Sequence, residues 1–525
     1  MKKYIVLALA TLSLVSCNDW LKDETPGITR LQDYFMDGTE DKAEEVATAA
    51  YVPLMWEFGE GDYCYEWMIG DVASDDALKG GQNIADGLQY GDIDNFKVQA
   101  DNSMLLSYWR AQWTGVARAN LAITQLPTMA NDSIREEFLD RTIGEAEFLR
   151  AYYYFRLVRV FGGMPIITDV IDSDTKWAQV RNTTDECYDF IIKDLESAES
   201  KLWLKSEYDE EDLGRATKGA AQAMLAKVNL YRKNYAEAKK WAKKVIDSGE
   251  YSLFADYFEN FTLEGENGSE SVFEIQYMDD DMSDGWNGFG FTRGSLSQVM
   301  TRSRSSVLGG GWGYDRPTHN LYNEYETEPT LDPRREMTIL SPKDNEITNE
   351  AEENYCGTWF VSNKLAWTDW KTRTFPRLSH DTRGPLNNRQ IRYADVLLMY
   401  AEACCELGDL AEAKSALNQV RERVGLADFP YTATIQGKST QFKDNQDDLR
   451  TAIRHERRVE LAMEGHRWFD LVRWGIAKKT MDAYIAGETN EAKQLWGQFV
   501  EGKNELFPIP TLERQLSGID QNPGY

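Results

Sequence analysis

The thiol of Cys17 is the group whose spacing declares its chemistry most directly. It follows Leu14-Val15-Ser16, a phrase that looks like a bacterial lipobox. Small residues there fit a signal peptidase cleft, and the thiol takes a diacylglyceryl group. Aromatic rings set among glycines come next. Asp284-Gly285-Trp286-Asn287-Gly288-Phe289 and Gly311-Trp312-Gly313-Tyr314-Asp315-Arg316 are two such stretches, and Tyr90 lies just beyond the polar run Asp75–Asn83. Rings kept exposed beside polar side chains are what would hold a ligand with flat apolar faces edged by hydrogen-bonding groups. Trp286, Trp312, Tyr314, Tyr90, Asn287, Asp315 and Arg316 are the candidate ligand-binding residues.

Other chemistry is thinly supported. The acidic run Asp279–Asp284 lacks the frame of an EF-hand, with no distant glutamate in place. His455-Glu456 opens a zincin-like phrase, but Val459 stands where the second histidine belongs. No metal and no cofactor are therefore expected. Gly268-Ser269 and Gly294-Ser295 lack the flanks of a nucleophile elbow. A carboxylate pair of the glycosidase kind cannot be singled out among 87 acidic residues. The expectation is a binding protein without catalysis.

The ends and the bulk of the chain fit an exported protein. Lys2 and Lys3 precede an apolar run from Tyr4 to Val15, which is too short to span a bilayer, where a helix needs roughly twenty residues. No later segment has the length and apolarity of a transmembrane helix. Acylation of Cys17 would thus anchor the protein at a membrane without a spanning segment, provided more than one chain is attached. Residues 1–16 read as signal peptide and 17–30 as a lipidated tether, polar and closed by Pro26. Loss of the signal takes away two lysines and moves the formal charge from −29 to −31. That balance repels phosphate backbones and excludes nucleic acid as a partner. The thiols beyond Cys17 (Cys64, Cys187, Cys356, Cys404 and Cys405) form no disulfide framework and read as buried small residues.

Apolar spacing of three and four predicts helices over much of Ala43–Phe161, ending at Gly162-Gly163 with Pro165 beyond. Two later stretches share a phrase. Ala216–Val228, a short break and Ala236-Glu237-Ala238-Lys239 form one. Asp395–Ala403, Gly408-Asp409 and Ala411-Glu412-Ala413-Lys414 form the other. Each looks like a tetratricopeptide (TPR) unit, in which small alanines let two helices pack closely. Residues 31–253 are assigned to an N-terminal helical scaffold and 389–525 to a C-terminal TPR-like part with a closing segment. Between them, 254–388 is dense in glycine and proline and reads as a loop-rich insertion with short strands such as Val272–Tyr277. The fold class is mainly α: a tetratricopeptide-like helical scaffold carrying a loop-rich, partly β insertion subdomain.

Five blocks in order then resemble the SusD/RagB family of outer-membrane nutrient-binding lipoproteins. They are Gly144–Tyr152 through Phe161-Gly162-Gly163-Met164-Pro165, Ala216-Thr217-Lys218-Gly219 through Tyr251, Ile391–Ala403, Glu456–Leu461 with Glu464–Leu471, and Leu506–Pro510 with Gln521–Tyr525. The resemblance implies a glycan ligand and a TonB-dependent SusC-like transporter as partner. It also implies a site at the cell outer membrane, lipid-anchored and facing the exterior. The same architecture binding peptides, or a TPR scaffold binding proteins of the envelope, are the alternatives. The charged residues of the helical blocks, Glu145, Arg150, Glu456, Arg457 and Glu460, read as packing partners at helical spacing.

Overall fold

The computed structural model describes residues 34–35, 38–59, 61–170, 179–279, 293–305, 310–341, 358, 360–372, 374–378, 382–487 and 497–525. Cys17, Cys356, Trp286 and Asn287 lie outside them, so the lipobox and one aromatic stretch have no structural description.

Among the described residues nine long helices build the scaffold: α1 (Glu40–Tyr51), α2 (Ser103–Gln125), α3 (Glu136–Phe161), α4 (Thr184–Lys201), α5 (Lys218–Tyr231), α6 (Tyr235–Asp247), α7 (Tyr393–Leu407), α8 (Leu410–Arg423) and α9 (Gln446–Glu460). Their ends follow local chemistry. The Thr183 hydroxyl accepts from Glu186 N–H while the Glu186 carboxylate takes the Thr183 N–H, a full capping box that starts α4. Thr217 caps α5 through Ala220 N–H. Gly408, at φ +85°, lets the chain leave α7 so that Asp409 N–H reaches the Cys404 carbonyl.

Neighbours in sequence pack as antiparallel neighbours in space: α3 with α4, α5 with α6, α7 with α8. The two A-E-A-K pairs also meet, because α6 lies against α7. Lys239 on α6 pairs with Asp409 and Glu412 at the α7–α8 turn. Small residues permit the close approach: Ala220, Ala221, Ala223, Ala226, Ala401 and Ala403 are all fully buried. Among the described residues no helix is long and apolar enough to cross a membrane.

Strand β2 (Ser271–Ile275) pairs antiparallel with β4 (Asn388–Arg392), matching Ser271 with Arg392 and Ile275 with Asn388. This is the strand expected over 272–277, shifted slightly toward the N-terminus. The helical character expected over much of 43–161 holds in α1, α2 and α3, while between 52 and 102 it is reduced to short helices at Glu66–Gly70 and Leu88–Asp94. Pro53 there opens a 3-10 turn, Phe58-Gly59 pairs with Asp62-Tyr63, and Ala77–Gly80 forms a strand, β1. That strand pairs with β3 (Tyr314–Pro317) of the insertion, matching Leu78 with Arg316 and Gly80 with Tyr314.

The charged residues of the helical motifs are structural. Arg150 clasps Asp194 through two nitrogens at 2.7 and 2.8 Å. Glu145 pairs with Arg215, Glu456 with Arg334 and Arg421, and Arg457 with Asp395 and Asp470. Cys64, Cys187, Cys404 and Cys405 are free thiols inside the body.

Candidate functional site

The β1–β3 pair joins two aromatic stretches that lie more than 200 residues apart in sequence. Tyr90 and Tyr314 meet edge to face with ring centroids 5.9 Å apart. Tyr63 sits 5.9 Å from Tyr90 and 6.3 Å from Trp312. Tyr65 stacks on Tyr63 at 5.5 Å, and Trp67 on Tyr65 at 4.7 Å. A continuous ladder of rings therefore runs from the core outward. Its outer members, Trp312, Tyr63 and Phe58, are only partly buried.

The polar loop that follows β1 rims this shelf. Gln82 and Asn83 are exposed, as are Ile84 at 48 % and Leu88 at 59 %. Lys79 holds the loop from beneath, donating from Nζ to the carbonyls of Asn83 and Asp86. The Asp86 carboxylate accepts from the Tyr314 hydroxyl at 2.8 Å and from Gln82 N–H at 2.7 Å. Asp62, buried below, accepts from Gln89, from the Tyr90 hydroxyl and from Ser103. Burial raises the Tyr63, Tyr90 and Tyr314 phenols far above their ordinary value, with Asp62 or Asp86 adding to the effect. All three remain neutral hydroxyls.

Gly311 is required beneath Trp312, because a Cβ there would stand 2.4 Å from the Arg302 side chain. Trp312 N–H donates to the Val299 carbonyl and Gly313 N–H to that of Arg302, so the loop is rigid where it presents its ring.

The sequence pointed to this place through several residues that turn out to support it from within. Tyr90 is 2 % exposed and Tyr314 5 %, because the strand pair closes over them. Their expected exposure is corrected. Arg316 is equally buried and donates to the carbonyls of Gly313 and Phe360, fixing the loop. Asp315 is fully buried, with φ +54°, facing Asp71 and Asp76 instead of solvent. Burial, with Asp76 adding repulsion, lifts its carboxyl well above the usual range. Of the described candidates, Trp312 alone keeps an accessible ring. Phe58 and Tyr63 were not among the candidates, although Gly59 and Gly61 between them are the kind of signal that marked Trp312. Among the described residues, no group of three or more histidines, cysteines and acids could hold a metal ion.

Comparison with known proteins adds to this geometry. A family model described as SusD family matches residues 253–525, and one described as starch-binding associating with outer membrane matches residues 40–230. A SusD-like protein of Formosa agariphila is 27% identical over the whole of both chains. A SusD-like protein of Bacteroides ovatus is 26% identical over 90% of this chain and 82% of its own. A solved laminarin-binding SusD-like protein superposes with a TM-score of 0.75 at 29% identity, covering 93% of this chain and 100% of that one. Surface glycan-binding protein A of Bacteroides fluxus gives a TM-score of 0.77 at 25% identity, with the same coverage. Since the SusD family model alone spans more than half of the sequence, the protein belongs to the SusD family.

Proposed function

We propose that this chain is a glycan-binding lipoprotein of the bacterial outer membrane. It captures oligosaccharide on the shelf of Trp312, Tyr63 and Phe58 and passes it to a TonB-dependent SusC-like transporter. Acyl chains on Cys17 hold it at the membrane, facing the exterior. The carrying observation is the pair of partly exposed rings, Trp312 and Tyr63, 6.3 Å apart on a rigid, polar-rimmed shelf. Rings supply apolar area for sugar faces at small entropic cost, and Gln82 and Asn83 offer hydrogen bonds to hydroxyls. The reading gains support from the printed descriptions of its relatives, laminarin-binding and surface glycan-binding. Binding without catalysis fits the engagement of both carboxylates nearest the shelf. Asp62 and Asp86 are both taken up by protein donors, so neither stands ready as a free acid or base.

Calorimetric titration with laminarin and a panel of other polysaccharides tests this. Trp312→Ala and Tyr63→Ala should each weaken binding about tenfold, which is about 1.4 kcal/mol and the order expected for one aromatic stack. Trp286→Ala, on the second glycine-flanked stretch, belongs in the same series. Unchanged affinity in the Trp312 and Tyr63 variants would refute the shelf, and release of reducing sugar by the wild-type protein would refute the absence of catalysis. A fatty-acid probe that labels the wild type and a Cys17→Ala variant equally would remove the anchor.

A further inference from the structure

A second aromatic groove lies between residues 256–264 on one side and 367–371 with Pro376 on the other. It encloses about 530 Å³. Trp367 and Trp370 stand partly exposed on one wall, while Phe258 and Phe261 form its floor. Asp256, Glu259 and Asp369 supply carboxylates along its sides. Thr368 is 3 % exposed, and its hydroxyl has no hydrogen-bond partner among the described residues although it lines the groove. A buried hydroxyl left unpaired costs free energy unless something that enters the groove satisfies it.

We infer that this groove is a second saccharide-binding site, which grips a glycan chain between the two tryptophans and hydrogen-bonds its hydroxyls to Thr368 and the flanking carboxylates. The chemical class rests on the function proposed above, whereas the groove is an independent feature. Lys371 pairs with Asp256 at 3.2 Å and stands 5.8 Å from the Trp370 ring, while Glu259, Glu264 and Asp369 offer acceptors to the hydroxyls of a neutral polyol.

The two sites share a strut. The Arg302 carbonyl accepts Gly313 N–H beneath Trp312, while its guanidinium donates to the carbonyls of Ala366 at 2.8 Å, Trp367 at 3.3 Å and Pro376 at 2.9 Å. Those bonds hold Trp367 at φ +51°, a left-handed conformation rare for so bulky a residue. Trp312 and Trp367 are thus fixed at opposite ends of one arginine, and a long glycan engaging both sites binds with the gain of an effectively intramolecular second contact.

The experiment titrates the detergent-solubilised full-length chain with laminarin and with a laminarin-derived hexasaccharide. Four forms are compared: wild type, Trp312→Ala, the double variant Trp367→Ala/Trp370→Ala, and all three changes together. Wild type should bind two hexasaccharides, Trp312→Ala should weaken one of the two sites about tenfold, the Trp367→Ala/Trp370→Ala form should bind one, and the triple variant should keep only the weakened shelf. Apparent affinity for the polymer should fall at least tenfold in the Trp367→Ala/Trp370→Ala form. A Trp367→Phe/Trp370→Phe pair should restore most of it, which a merely misfolded loop would not allow. A double alanine variant that keeps wild-type stoichiometry and polymer affinity, while Trp312→Ala weakens binding, overturns the second site and leaves the shelf standing. Wild-type protein that binds no glycan in the panel overturns both.

Discussion

Two histidines of the C-terminal helical block show how burial is decided by neighbours at the scale of one residue. His455 lies between Glu324 at 3.0 Å and Glu326 at 3.6 Å. Burial alone would lower its pKa, but the two carboxylates outweigh it and lift the imidazole to about 9. His466 is equally buried, with Lys227 beside it, and is pushed down to about 3. The signs therefore oppose. His455 binds its proton more tightly folded than unfolded. Its contribution is complete below about pH 6.5 and is lost as pH rises through about 9, with a size of about 3 kcal/mol. His466 stays neutral when folded, so stability is lost as pH falls from about 6.5 toward 3. Urea midpoints measured from pH 5 to 9.5 should show the alkaline loss in wild type and a flatter alkaline limb in His455→Gln. An identical alkaline limb in both proteins would refute the ion-paired histidine. The zincin-like phrase at His455 is thereby accounted for as an ion pair within the scaffold.

At the scale of elements, what the sequence made legible was local. The helix pairs 218–247 and 393–423 follow from alanines at close spacing and a glycine or asparagine break, and strand 271–275 from an apolar run between turn residues. What stayed hidden was non-local. Nothing in the sequence shows that Ala77–Gly80 pairs with Tyr314–Pro317, and that pairing is what buries Tyr90, Tyr314, Asp315 and Arg316. A glycine beside an aromatic marks a loop able to expose a ring or to tuck it in, and only the partner strand decides which. Trp367 and Trp370 were missed because no glycine flanks them, and the backbone that carries Trp367 is held by Arg302 from far away in the sequence. Helix packing supplies its own test. Gly115 on α2 faces Tyr153 on α3, and a Cβ there would stand 2.3 Å from the ring. Gly115→Ala should raise helix propensity yet lower stability by about 1–3 kcal/mol, because the α2–α3 crossing cannot open without shifting a fully buried ring. A urea midpoint at or above wild type would show that the crossing is looser than the geometry implies.

At the scale of the whole molecule, a buried charge network ties the segment expected as an insertion to α8, α9 and β4. Glu460, at the end of α9, accepts from Arg334 of the insertion at 2.9 Å, from Arg392 of β4 at 2.8 Å and from Arg423 of α8 at 2.5 Å. Arg392 and Arg423 also reach Glu270 of the insertion, and Arg392 and Lys364 share Glu464. Burial alone would raise the Glu460 carboxyl, but Arg423, Arg392 and Arg334 outweigh it and hold it well below the usual range. A segment whose described residues hold little regular structure thus takes its order from contacts that cross into the scaffold, and it should not unfold ahead of it. We propose that 254–388 is an insertion in sequence but part of one cooperative body in stability. Hydrogen exchange at rising urea, followed by peptide, should show peptides from 254–341 and from 393–473 opening together. Glu460→Gln strips the shared charge from three buried guanidinium groups and should cost about 3–5 kcal/mol, as breaking a buried pair does. It should also let the insertion peptides exchange first. Insertion peptides that already open well before α7–α9 in the wild-type protein would show that the network decorates two separable units.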